Sequence, residues 1–135
     1  MTTPDSSVLI PAVGIHHEAH ERATEALGDA PSLIAHVAFE TSSVLSRMPE
    51  GQRVAATAVL DVLDHDFPMP WLALDREQQR SCLRRAVAAG VYGGALYDAL
   101  IAATAAEHDV TLLSADRSAS ATYEVMGARV EYLQR

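Results

Sequence analysis

The stretch "ALYDALIAATAAEHDVTLLSAD", residues 95–116, decides how this chain folds. From Ala95 to Ala106 it is almost wholly Ala, Leu and Ile, and it predicts a helix over 95–108. The next residues change character. "VTLLSAD" (110–116) is a β-branched and Leu run ending in Ser and Asp, which reads as a strand. A helix running straight into an apolar strand is the returning half of a parallel α/β unit. One residue disturbs the pattern. Asp98 has Gly94, Ala95, Ile101 and Ala102 as its helical neighbours, and none of them is basic. A buried carboxylate without a partner is costly, so such groups neutralise, pair or bind a metal.

Working outward, the same alternation recurs. "SVLIPA" (7–12) is an apolar segment broken by Pro11, and Pro4, which cannot donate to a ladder, implies a short or shifted first strand. A helix is expected over 16–27, ended by Gly28-Asp29-Ala30-Pro31. "SLIAHVAFETSSVLSRM" (32–48) reads as a short strand, Leu33 to Ala35, entering a helix that Pro49-Glu50-Gly51 stops. Another helix is expected over 52–67, an extended piece over 68–75, and an amphipathic helix over 76–90. Beyond residue 116, a helix over 118–126 closes at Gly127 and a last strand covers 128–133. No internal repeat interrupts this order. Short strands alternating with helices predict a single α/β domain with a central, mostly parallel sheet.

Composition narrows the function. A chain of 135 residues, 49% hydrophobic, suits one domain with a sizeable core. No apolar run approaches the ~20 residues that span a bilayer. The start "MTTPDSSVLIPAVG" lacks the basic region and cleavage signature of a signal peptide, so a cytoplasmic location is expected. Cys82 is the only cysteine, which excludes an intrachain disulfide. There is no lysine and no asparagine; all ten basic residues are Arg. Schiff-base chemistry and a Walker-A lysine are therefore excluded. At a formal charge of −8, a broad basic surface is not expected, and a polyanionic substrate would need metal ions and a few local Arg.

Open parallel sheets bind ligands beyond the carboxyl ends of their strands. Asp116 directly follows the strand at 110–114, and Asp5 lies at the start of the first apolar segment. Glu40 sits on the helix after residues 33–35 in the apolar setting "HVAFETSSVL", and Asp98 near the N-terminus of its own helix. These four acids are expected to meet at one edge of one sheet.

The pieces "DSSVLIPA" (5–12), "FETSSVLSR" (39–47), "YDALIAATA" (97–105) and "LLSADRSASATYEVMG" (112–127), in this order, resemble the PIN-domain ribonucleases, and particularly the VapC-type toxins of bacterial toxin–antitoxin pairs. The resemblance spans nearly the whole chain and implies a three-layer α/β/α sandwich. It places Asp5, Glu40, Asp98 and Asp116 on the family's metal-binding, catalytic acids and Ser6 and Ser114 on its small hydroxyl positions, where they would orient the acids. Four crowded carboxylates conflict until a hard cation such as Mg²⁺ or Mn²⁺ joins them. One or two such ions would activate water for phosphodiester hydrolysis, so no Ser, Cys or Lys nucleophile is needed. Arg117, beside Asp116, is a candidate for contacting a substrate phosphate. The resemblance further implies structured RNA such as transfer or ribosomal RNA as substrate, a homodimer, and a cognate antitoxin that covers the acidic site.

Each feature also has a plainer explanation. Asp98 could be a helix-terminal acid, Asp116 a helix cap, Asp5 a surface residue and Glu40 a solvated helix residue. His16 and His20 stand at i, i+4, but His17 occupies the position where a zincin needs Glu. Arg76, Arg80, Arg84 and Arg85 form a solvated helix face or a guide for RNA phosphates. Receiver domains and haloacid-dehalogenase-like phosphatases share the α/β plan but need a lysine. A non-catalytic interaction module with structural acids is the alternative from another class.

Overall fold

The structure is a computed structural model and describes residues 1–29 and 32–134. Its sheet has three parallel strands in the order β1 (Thr2–Pro4), β2 (Thr111–Ser114), β3 (Val130–Tyr132). Thr3 pairs with Leu112, and Leu112 with Val130. Side chains alternate across a strand, so adjacent residues of β2 must face opposite layers. Leu112 joins the main core with Leu9, Ile34, Ile101 and Tyr123, whereas Leu113 joins a second cluster with Val8 and Ala23. Both faces of the sheet are therefore covered, which makes the three-layer sandwich.

Seven helices supply those layers among the described residues: α1 (Ser6–Val13), α2 (His20–Leu27), α3 (Ala35–Ser46), α4 (Ala56–Asp66), α5 (Arg76–Ala88), α6 (Ala95–Glu107) and α7 (Ser120–Val125). Residues 95–116 form the expected helix and strand. Ala99 and Ile101 to Ala105 of α6 are buried, and the chain reverses into β2 through Asp109 at φ 54, with Val110 N donating to Ala105 O. Asp tolerates this left-handed conformation better than most residues. Gly127, at φ 83, makes the corresponding turn between α7 and β3. Cys82 of α5 is buried against α6, its thiol 3.6 Å from Ala99 O. An Asp75–Gln78 capping box starts α5.

Several boundaries differ from the sequence reading. The segment 7–12 belongs to helix α1, with Pro11 inside its last turn, and the first strand lies before Asp5. Pro4 is accommodated because β1 is an edge strand. Met1 O and Asp5 N bond to β2, which turns the even residue Pro4 and its missing N–H to the open side. The strand at Leu33 to Ala35 reduces to one parallel bridge, Ile34 with Leu72, bonded through Leu72 N to Leu33 O and Ala35 N to Leu72 O. The helix expected from residue 16 begins at His20, because His17 Nδ1 accepts from Ala19 N and holds a local turn instead. Gly28 closes α2, while Ala30 and Pro31 of the expected stop lie outside the described residues. The helix expected over 118–126 opens with a 3₁₀ turn at Arg117–Ala119 before α7. No helix of the described residues is long and apolar enough to cross a membrane.

Candidate acidic site

Parallel strands end at the same edge, and β1 and β2 each deliver an acid there. Asp5 follows Pro4 directly, is 2% exposed, and donates its N–H to Leu113 O. Its carboxylate is held on both oxygens: Ser7 Oγ donates to Oδ1 at 2.5 Å and Tyr123 OH to Oδ2 at 2.8 Å. Asp116 lies two residues past β2 and is exposed; its Oδ1 accepts from Ser118 N at 2.9 Å and Ser118 Oγ at 2.6 Å. The capping role is thus real, but it engages only one oxygen. Ser114, fully buried, receives Asp116 N on its hydroxyl at 3.2 Å and lies 3.4 Å from Ser7 Oγ.

Helices bring the other two acids. Asp98 occupies the first turn of α6, where the helix dipole favours a negative charge. Burial, followed by the negative fields of Asp5 and Asp116, raises its proton affinity above that of an ordinary Asp. Glu40 projects from α3, and burial, then Asp98 and Asp5, raise its carboxyl in the same way. The charges of Asp5 and Asp116 thus bear on Asp98, and those of Asp98 and Asp5 on Glu40, at one edge of the sheet. Phe39, beside Glu40, is exposed to solvent, whereas Val37 and Ala38 are buried.

Around Glu40 the polar groups are poorly matched. Glu40 Oε1, His36 Nε2 and Thr41 Oγ1 are buried without hydrogen-bond partners among the described residues. His36 Nε2 stands 3.8 Å from Glu40 Oε1, too far for a hydrogen bond, and burial lowers the imidazole's proton affinity. The two are neighbours and not an ion pair at neutral pH. The His36 ring stacks on Tyr97, centroids 5.1 Å apart, and so links α3 to α6 beside the acids.

Sequence reasoning placed the orienting hydroxyl one residue early. Ser6 makes no side-chain hydrogen bond among the described residues, and Ser7 contacts Asp5 and also accepts from Ala115 N at 2.8 Å. Ser6 starts α1, and the helical rotation between neighbouring positions turns only Ser7 toward the strand ends. Tyr123 had no local signal, being 118 residues from the acid it serves. His16 and His17 are exposed, and His20 bonds to Pro11 O, which disperses the histidines of the zinc reading. Among the described residues no group of three or more His, Cys, Asp or Glu side chains is placed so that it could hold a metal ion.

Two measurements follow from this geometry. Tyr123→Phe removes a charge-assisted hydrogen bond to a buried carboxylate, so unfolding free energy should fall by about 1.5–3 kcal/mol in denaturant titration. A loss under about 0.5 kcal/mol would show that Asp5 does not depend on the phenol. The pH effect has an unusual sign. Asp98 and Glu40 bind protons more tightly folded than unfolded. Their contribution to stability is full below the ordinary carboxylate range and is lost as pH rises through their raised values. Chelator-treated Asp98→Asn and Glu40→Gln proteins should therefore lose less stability than wild type as pH rises toward neutrality; parallel pH curves would contradict the repulsion.

Fold and site define a class: a parallel α/β sandwich that concentrates carboxylates past the carboxyl ends of its strands. The chain belongs to the PIN domain family, whose profile matches residues 3–125. It is 41% identical to Ribonuclease VapC40 of Mycobacterium tuberculosis over 131 residues, 97% of this chain and 98% of that protein. Ribonuclease VapC27 of the same organism is 37% identical over 128 residues, 93% of this chain and 92% of its own. Among solved structures, FitAB bound to an IR36 DNA fragment has a chain superposing with a TM-score of 0.71 at 18% identity, covering 98% of this chain and 94% of that one. The Mycobacterium tuberculosis sarcin–ricin-loop-cleaving toxin VapC20 superposes at 0.68 with 17% identity, over 90% and 94%. At such identities these two structures speak for the fold alone.

Proposed function

We propose that this chain, as a single PIN-like domain, is a metal-dependent endoribonuclease of the VapC type, a toxin acting on structured cellular RNA and restrained by a cognate antitoxin. The observation that carries the reading is the gathering of Asp5, Glu40, Asp98 and Asp116 at one sheet edge, where each of Glu40 and Asp98 is burdened by its neighbours' charge. The near-full-length identity with Ribonuclease VapC40 supports the same activity.

The residues suit Mg²⁺ or Mn²⁺. Their donors are carboxylate oxygens, the choice of hard cations, and Glu40 Oε1 is a buried acceptor without a hydrogen-bond partner among the described residues. When bound, the metal supplies charge neutralisation and a water of lowered pKa. Ser7 and Tyr123 hold the Asp5 carboxylate at fixed orientation, and the N-terminal end of α6 favours the negative charge of Asp98. Ser114 fixes the backbone that presents Asp116, whose second oxygen has no partner among the described residues. Without a lysine, no side chain of this protein other than Arg can neutralise a bound phosphate permanently. An antitoxin Arg entering the cluster would replace the metal's charge, and the chain's charge of −8 would attract such an inhibitor. The family resemblance adds a homodimer.

The test is cleavage of total tRNA and rRNA by purified protein with Mg²⁺, with Mn²⁺ and with chelator. Cleavage restricted to the metal-containing reactions is expected. At a metal concentration 100 times its dissociation constant, stability should rise by ~2.7 kcal/mol. Full activity in chelator would sink the metal mechanism; neither cleavage nor a metal-dependent melting shift would favour an interaction module.

A further inference from the structure

A second group of charges lies beside Asp116. The strand β3 ends at Tyr132 on the same edge as β2, and a cavity of about 620 Å³ opens there, bordered by Arg22, Asp116, Arg117, Ser118 and Tyr132. In a chain with eight more acids than bases, two arginines converging on one cavity is a local reversal of sign.

Neither arginine makes a side-chain ion pair among the described residues. Arg117 is adjacent to Asp116 but forms no ion pair with it; its guanidinium lies 4.4 Å from the centroid of the Tyr132 ring. Arg22, on α2, has Glu25 three residues further along the helix and Glu18 in the turn before it, yet pairs with neither. Among the described residues both guanidiniums lack a carboxylate partner. Stacking over a ring covers the face of a guanidinium and leaves its in-plane N–H groups pointing outward, the arrangement that meets a phosphate with two parallel bonds. Asp116 meanwhile turns one oxygen to Ser118. Cation and carboxylate thus border one cavity without cancelling each other.

We propose that Arg22 and Arg117 form a backbone-phosphate subsite for single-stranded RNA, adjacent to the acidic cluster, with Tyr132 holding Arg117 in place. The subsite rests on the ribonuclease reading and deepens it: it gives the strand a second anchor one side of the acids, and so a direction across the site. Because it touches phosphate alone, it contributes affinity and register and no base preference.

The test uses the Asp98→Asn protein with Mg²⁺, which suppresses cleavage, and a fluorescently labelled, mixed-sequence single-stranded oligoribonucleotide. Binding is followed by anisotropy at several salt concentrations. Each phosphate contact on a single strand contributes about 0.7 to the slope of log affinity against log salt. Arg22→Ala and Arg117→Ala should each lower the slope by about 0.7, and the double variant by about 1.4. Arg22→Lys and Arg117→Lys, which keep the charge, should retain the slope and guard against a folding artefact, while Arg47→Ala, at the C-terminal cap of α3, should leave it unchanged. In the cleaving protein the double alanine variant should raise KM several-fold with kcat held within about twofold. An unchanged slope, a loss matched by Arg47→Ala, or no measurable binding overturns the subsite. So does weakened capture of the antitoxin with RNA binding intact. Absence of RNA cleavage by the wild type would instead count against the ribonuclease reading, which the binding slopes do not test.

Discussion

Asp98→Asn is expected to reduce metal-dependent RNA cleavage by at least ~100-fold. The substitution keeps the size of the side chain but deletes a charge that lies in the fields of Asp5 and Asp116. Charge stabilisation of several kcal/mol by a bound metal corresponds to two or more powers of ten in rate, and a neutral amide holds that metal poorly. The same change should leave the metal-free protein at neutral pH as stable as wild type or more so. Asp98 and Glu40 repel one another and are half-buried, so removing one charge relieves the other. Loss of activity together with gained stability is the signature of an acid kept for function. Single-turnover cleavage and thermal melting in chelator measure the two halves. Activity within threefold of wild type would show that Asp98 is structural.

Leu112→Ala should have the largest effect on the fold. Leu112 is fully buried at the centre of β2, the strand that pairs with both β1 and β3. Leu-to-Ala changes at such sites cost ~2–5 kcal/mol, through lost burial and a cavity the sheet cannot collapse. A domain of this size has a total stability of ~5–15 kcal/mol, so much of the protein's reserve would disappear. Leu60→Ala, on an exposed face of α4, should change stability by no more than ~0.5 kcal/mol. Urea unfolding at constant slope compares them; a Leu112→Ala loss below about 1 kcal/mol would mean that β2 is not the centre of the core.

The sequence made much of this legible because the relevant signals are local. The Ala-rich helix into "VTLLSAD" marks a change of period that only a helix followed by a strand satisfies, and α6 and β2 lie within a residue or two of the expected bounds. Asp98 stood out for the same reason: nothing on its own helix could pair with it. The short segments were less legible. Residues 7–12 are apolar enough for either strand or helix, and Pro11 weakened the helical signal although it falls in the last turn. Leu33 to Ala35 had strand character, yet with Leu72 as its single bridge partner it could not become a full strand.

By itself, the sequence determined the α/β class, the four acids as candidates, the absence of any lysine, and the family resemblance carried by the motif order. Each of these depends on residue type and spacing along the chain. Only the tertiary structure decided that the acids share one sheet edge and that burial and neighbouring charge raise the proton affinity of Asp98 and Glu40. It also decided that Ser7 and Tyr123 hold Asp5, and that Arg22 and Arg117 border one cavity. Those facts turn on helical rotation by a single position and on contacts across 95 to 118 residues, distances at which burial, charge and hydrogen bonding are set by packing and leave no periodic trace in the chain.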